Sequence, residues 1–234
     1  VTVAAIGETA DLAEISLREL HTTLHALPRD TNRTAWHITN PRGRHSVAVG
    51  LDAPLSVVVE GHVGYYAGGM NSQAKITING NAGPGVAENM MSGEVRVRGD
   101  ASMAAGATAQ GGLLVIEGNA GARCGISMKG VDIVVRGSVG HMSAFMAQEG
   151  NLVVCGDAGD ALGDSLYEAR LFVRGAVKSL GADCEEKDMG EAERAILAGV
   201  LARAGITDLN LADFRLFGSA RRLYHFHVDN ANAY

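Results

Sequence analysis

Proline is scarce in this chain, with four in 234 residues, although glycine is abundant at 31. A collagen-like repeat needs both together, so that class is excluded, and the glycines imply many tight corners. Cysteine is scarcer still. Cys124, Cys155 and Cys184 stand too far apart for a zinc pair or a C-x-x-C motif, and they read as reduced thiols in a cytoplasmic protein. Basic residues are not in excess. The net charge is -6, which argues against a nucleic-acid footprint. No run of about 18 apolar residues occurs, so no membrane span is expected. The opening stretch VTVAAIGETADLAEI lacks the basic and apolar regions of a signal peptide.

What is present is a globular composition, 47% hydrophobic and 20% charged, with a conspicuous glycine pattern. The stretch INGNAGPGVAENM carries Gly80, Gly83 and Gly85 after an aliphatic run, as a phosphate-cradling loop would. The stretch is not unique. VEGHVGYYAGG precedes it, and VRGDASMAAGA, IEGNAGARCGI, VRGSVGHMSAF, VCGDAGDALGD and VRGAVKSLGAD follow. The first glycine falls at Gly61, Gly80, Gly99, Gly118, Gly137, Gly156 and Gly175, a constant step of 19 residues. A fixed period marks a stacked architecture, so these glycines are expected to be corners of a repeat.

The columns of the repeat specify its shape. Four residues before the glycine stand Val57, Ile76, Val95, Leu114, Ile133, Leu152 and Leu171; two before it stand Val59, Ile78, Val97, Ile116, Val135, Val154 and Val173. The residue just before the glycine is mostly polar. This is the two-residue alternation of a strand with one buried face. Two residues after the glycine the column is all Ala or Val, and seven after it all Gly or Ala, which lets successive turns approach closely. A 19-residue copy is too short for a βαβ unit, which needs about 30 residues. Nineteen is not a multiple of six either, and no six-residue aliphatic repeat occurs, which disfavours a left-handed hexapeptide helix. The expected fold is an all-β solenoid, a right-handed parallel β-helix of about seven coils, with flanking N- and C-terminal helices.

Three regions follow: an N-terminal helix and cap over 1–54, the β-helix over 55–188, and a C-terminal helix with a docking tail over 189–234. Ser16 and Glu19 form a capping-box pattern ahead of Leu17, Leu20, Leu24 and Leu27 at helical spacing. GEAERAILAGVLARAG predicts a second helix with Ala195, Ile196, Val200 and Leu201 on one face and Gly205 as its stop. The tail LFGSARRLYHFHVDNANAY shows no core pattern and reads as a segment that lies on a partner, or packs back on the solenoid.

Candidate site residues are few. Asp157, Asp160 and Asp164 resemble the outer-face carboxylates of a β-helix lyase, but Asp and Asn recur at the same corners in other coils, so they read as solvated turns. His225 and His227 alternate like metal ligands but lack a marked third ligand. Cys124 has no base beside it, and Met70, Met90, Met128, Met142 and Met146 read as core fillers or core flanks. The pairs Tyr65–Tyr66 and His141–Met142 are candidates to face a partner. No Ser-His-Asp or nucleophile-elbow pattern is present. No catalytic, cofactor-binding or metal-binding residue is therefore assigned.

The coils resemble the GXGXG β-helix domain that closes the large subunit of glutamate synthase, and the coils of the β-helix subunit of formylmethanofuran dehydrogenase. GHVGYYAGGMN, GNAGPGVAENMMSG, GGLLVIEGNAGARCGISMKG, GHMSAFMAQEGNLVVCGDAGDALGDSLYEAR and VKSLGADCEEK are most similar to the free-standing version, a separate subunit of N-methylglutamate synthase. The resemblance spans about residues 15–234, including the YHFHVDNANAY tail. It implies a scaffold subunit beside two partners: a class II glutamine amidotransferase-like subunit and an FMN-binding, iron–sulfur glutamate synthase-like subunit. The assembly would convert L-glutamate and methylamine to N-methyl-L-glutamate and ammonia. The chain lacks the N-terminal nucleophilic cysteine and the clustered cysteines of those partners, so no cofactor is expected on it. Alternatives are an ammonia-using glutamate synthase-like complex, a formylmethanofuran dehydrogenase-like scaffold, and a stand-alone β-helix hydrolase or lyase.

Overall fold

Two aliphatic residues two apart, repeated at a constant step, make short strands that can bury one face only by stacking on their own repeats. The computed structural model describes residues 7–221, and it stacks them in that way. Nine strands run parallel in one sheet: β1 (Glu8–Asp11), β2 (Ala35–Thr39), β3 (Ser56–Val59), β4 (Lys75–Ile78), β5 (Glu94–Val97), β6 (Leu113–Ile116), β7 (Lys129–Val135), β8 (Glu149–Val154) and β9 (Arg170–Val173). From β3 to β9 the register puts Val57, Ile76, Val95, Leu114, Ile133, Leu152 and Leu171 side by side. These residues and the column two further on, Val59 to Val173, are at most 1% exposed. A second contact runs through Val63, Ala82, Ala101, Ala120, Val139, Ala158 and Val177, each bridged to the next. The fold is a parallel β-solenoid of about seven turns with two helices.

The glycines stand at the corners, as expected, and most are required there by space and not by backbone conformation. Only Gly61 of the seven has a left-handed backbone, with φ +124°. The other six are needed because consecutive coils touch there. A Cβ on Gly80 would lie 2.5 Å from the carbonyl carbon of Gly61, and one on Gly175 would lie 2.4 Å from the Gly156 oxygen. In the first six coils the left-handed positions fall later, at three alternating residues such as Arg123, Gly125 and Ser127.

The sheet also extends past the predicted 55–188. β1 and β2 precede it, and residues 40–53 form a further stacked turn, with Gly43 N–H donating to His62 O and Gly68 N–H to Val47 O. At the other end, β11 (Arg215–Ser219) runs antiparallel between β9 and β10 (Cys184–Lys187). It buries Leu216 and Phe217 there, so the stretch beginning LFGS does carry a core pattern. The rest of that tail, from Arg222 to Tyr234, lies outside the described residues.

Helix α1 (Leu17–His25) has the predicted capping box: Glu19 N–H donates to Ser16 Oγ and Ser16 N–H to a Glu19 carboxylate oxygen. It buries Leu20 and Leu24 in the solenoid core. Helix α2 (Glu191–Ala204) ends at Gly205 with φ +76°. Its buried stripe is Leu197, Val200, Leu201 and Ala204, whereas Ala195 is exposed, so the expected face is turned by about one residue. The stripe packs on the outer face of the sheet against Leu113, Val115, Val134, Val153 and Phe172.

Candidate functional site: corners and turn face

Each corner is tied to the next by a side chain. Asn81 N–H donates to His62 Nδ1 at 2.9 Å, Asp100 N–H to Asn81 Oδ1 at 3.0 Å, and Asn119 N–H to Asp100 Oδ1 at 2.7 Å. Ser138 N–H donates to Asn119 Oδ1, Asp157 N–H to Ser138 Oγ, and Ala176 N–H to Asp157 Oδ1. One acceptor per coil thus satisfies a backbone donor that the sheet leaves over. The backbone donors of the glycine-rich stretch are taken in the same way. Gly83 N–H donates to Val63 O and Gly85 N–H to Met103 O, so neither is free to cradle a phosphate.

The structure separates the three candidate carboxylates. Asp157 is the last rung of the ladder. Asp160 pairs with Lys178 at 2.7 Å, which holds its carboxyl below the usual range. Asp164 accepts from Ser165 Oγ and from Ala182 N–H. A constellation invisible to a linear motif search appears beside them. His141, Asp160 and Ser179 follow one another at a 19-residue step and stack in one column. Their order is wrong for nucleophilic catalysis, which needs the imidazole between carboxylate and hydroxyl. Here Asp160 is in the middle, and Ser179 Oγ lies 3.4 Å from it.

All three thiols are buried. Burial pushes Cys124 up to about 12 and Cys155 and Cys184 up to about 11, the opposite of an activated cysteine. Among the described residues, no three His, Cys, Asp or Glu side chains group to hold a metal ion. His225 and His227 lie outside those residues. The methionines divide: Met90 and Met128 are in the core, Met142 is half-buried, and Met70 and Met146 are exposed.

That exposure has a pattern. Among the described residues, the large apolar side chains open to solvent are Tyr65, Met70, Met91, Met103, Met146, Tyr167 and Leu180. Every one follows a corner glycine, on the turn segment that closes its coil; none is on a strand. Backbone hydrogen bonds stack these segments coil on coil into one face: Tyr66 N–H donates to Pro84 O, Gly85 N–H to Met103 O, Ala104 N–H to Ala122 O, Arg123 N–H to His141 O and Met142 N–H to Asp160 O. Side chains add to this at the first coils, where the Tyr65 ring packs tilted against His45 at 4.7 Å and Tyr66 at 6.3 Å, Asn89 Nδ2 donates to the Tyr66 hydroxyl, and Thr108 Oγ1 donates to Asn89 Oδ1. The opposite, strand face is charged or covered. Arg96, Arg98 and Arg136 converge on Glu117, and Arg96 also donates to the carbonyl of Ala204 at the end of α2.

No family model matches the sequence. It is 60% identical over 224 residues to protein GlxC of Rhizobium meliloti (strain 1021), covering 96% of this chain and 98% of that one. A chain in the crystal structure of the formyltransferase/hydrolase complex FhcABCD from Methylorubrum extorquens, in complex with methylofuran, superposes with a TM-score of 0.52. That match covers 67% of this chain and 69% of the other at 24% identity, a likeness of fold.

Proposed function

The chain belongs to the family of protein GlxC, and from that premise we propose that it is a structural subunit of a heteromeric enzyme, N-methyl-L-glutamate synthase. The observation that carries the scaffold reading is the corner ladder. Side chains that could do chemistry, Asp100, Asn119 and Asp157 among them, fasten each coil to the next, so they build a stiff rod. The resemblance of the coils to the free-standing GXGXG subunit supports the choice of enzyme.

On this reading the chemistry lies on two partners in the cytoplasm. A glutamine amidotransferase-like subunit and a synthase-like subunit carrying FMN and an iron–sulfur cluster form N-methyl-L-glutamate from L-glutamate and methylamine. The groups on this chain do not fit either cofactor. Its thiols are buried and protonated, and the corner N–H groups that would hold a flavin phosphate are engaged. The rod contributes placement, since catalytic groups on separate chains depend on relative position. A second reading, a scaffold like the β-helix subunit of formylmethanofuran dehydrogenase, is favoured by the fold likeness to a chain of the formyltransferase/hydrolase complex.

Co-expression tests the proposal. The chain alone is expected to be colourless and inactive. With both partners it is expected to co-purify in a flavin-containing complex that forms N-methyl-L-glutamate. Stoichiometric FMN on the isolated chain, or full activity of the partners without it, defeats the reading.

A further inference from the structure

We propose that the turn face pairs with the same face of a second copy, antiparallel, about a two-fold axis through the level of Met103. This goes beyond the scaffold reading, which names no homotypic contact. With coils 1 to 7 counted from Gly61 to Gly175, Met103 lies on coil 3. The axis then sets coil 2 against coil 4, coil 1 against coil 5, and the leading turn at 40–53 against coil 6.

Each level is complementary to its counterpart. At the axis Met103, an exposed apolar side chain, meets its own copy. One level out, half-buried Glu88 of coil 2 faces exposed Arg123 of coil 4. Among the described residues neither forms an ion pair. The next level is apolar on both sides, Tyr65 and Met70 against Met142 and Met146. At the ends, Arg42 and Arg44 meet the level of Asp157, Asp160 and Asp164; among the described residues only Asp160 of these three has an ion-pair partner, Lys178, so this end stays acidic on balance. A surface whose charged levels alternate in sign along the rod, with apolar levels between them, is complementary to itself when turned end for end, which is the isologous geometry. The levels between are rich in Met and Tyr, residues enriched in interface cores.

Size and competition agree. Six coil steps of about 4.8 Å give about 29 Å, the edge of a patch of roughly 800 Å² per partner in a standard interface. The other surfaces are less available. Helix α2 covers the strand face of β6–β9, and the last strand in the sheet order, β10, presents Glu185, Glu186 and Lys187.

Analytical ultracentrifugation of the purified full chain over a concentration series tests the pairing. Wild type is expected to reach the mass of two chains. Met103→Arg, which sets two like charges on the axis, is expected to be monomeric with an unchanged melting temperature. Glu88→Arg and Arg123→Glu are each expected to weaken pairing roughly tenfold or more, and the double variant to recover most of that loss. A dimer indifferent to Met103→Arg, or a double variant no tighter than the singles, overturns the geometry. A monomeric wild type that still co-purifies with the flavin subunit overturns the pairing and leaves the scaffold reading standing. A dimer that captures no partner does the reverse.

Discussion

Gly118 and Gly199 invite the same substitution with opposite outcomes. A Cβ at Gly118 would lie 2.3 Å from Asp100 Oδ1, 2.8 Å from the Gly99 oxygen and 2.9 Å from the Gly99 carbon. Two of those atoms are backbone of the coil behind, held by Gly118 N–H donating to Gly99 O at 3.0 Å. The third is the ladder acceptor of Asn119 N–H. Relief requires the coils to separate locally or Asp100 to swing off its donor. Over-packing costs about 1–3 kcal/mol and a lost hydrogen bond about 0.5–1.5 kcal/mol, so Gly118→Ala should destabilise by about 2–4 kcal/mol. Gly199 sits on the exposed side of α2 with nothing within 4 Å of its would-be Cβ. Alanine there gains helix propensity, about 0.5–1 kcal/mol. Urea melts of both variants, compared at equal m, read the difference. Gly118→Ala within about 0.5 kcal/mol of wild type would refute the close-approach account, as would shifts of the same sign in both.

Two further outcomes follow from the packing. Ile116→Ala removes a fully buried rung and should cost about 2–5 kcal/mol in the same melts, against under about 0.5 kcal/mol for exposed Lys75→Ala; equal losses would dissolve the aliphatic ladder. His21 on α1 is held below its usual range by burial and by His25, so protonation is disfavoured in the folded state. Stability should therefore fall as pH drops from about 6.5 toward the folded-state value, and His21→Leu should flatten that slope in pH-dependent thermal melts. An unchanged slope would remove His21 as the cause.

The core of this fold can be read in the sequence because translation repeats it. Once the 19-residue step is set, the columns of Val57 and Val59 name nearly every inward strand residue. What escaped reading lies where the repeat breaks. The leading turn is offset, with Trp36 opposite Val57, and its corner is Asn-Pro-Arg-Gly, so the glycine step does not find it. The place where α2 docks was signalled by a column three residues before each glycine: Val58, Thr77 and Arg96, then Val115, Val134, Val153 and Phe172. From β6 onward both faces are apolar, which an exposed sheet face would not tolerate. The role of the corner glycines was hidden because close approach and left-handed backbone leave the same letter in the sequence. Glu117 is one more polar residue ahead of a corner glycine in the sequence; three arginines reached from neighbouring coils make it a hub.

A repeat is a poor place to build acid–base chemistry, and the His141 column shows why. Translation puts like groups beside like, whereas catalysis needs unlike groups in a fixed order. The column at His141 does diverge, to Asp160 and then Ser179, and so gathers the right types. Only neighbouring rungs touch, however, so the middle rung decides what the column can do. An imidazole there would relay between carboxylate and hydroxyl. A carboxylate there instead takes Lys178 as its counter-ion and accepts from the Ser179 hydroxyl, so the seryl oxygen has an ion-paired carboxylate beside it in place of an imidazole. With that order the column is an electrostatic stitch between coils 5 and 7, consistent with a rod whose polar side chains serve its own stacking and whose free apolar side chains serve association.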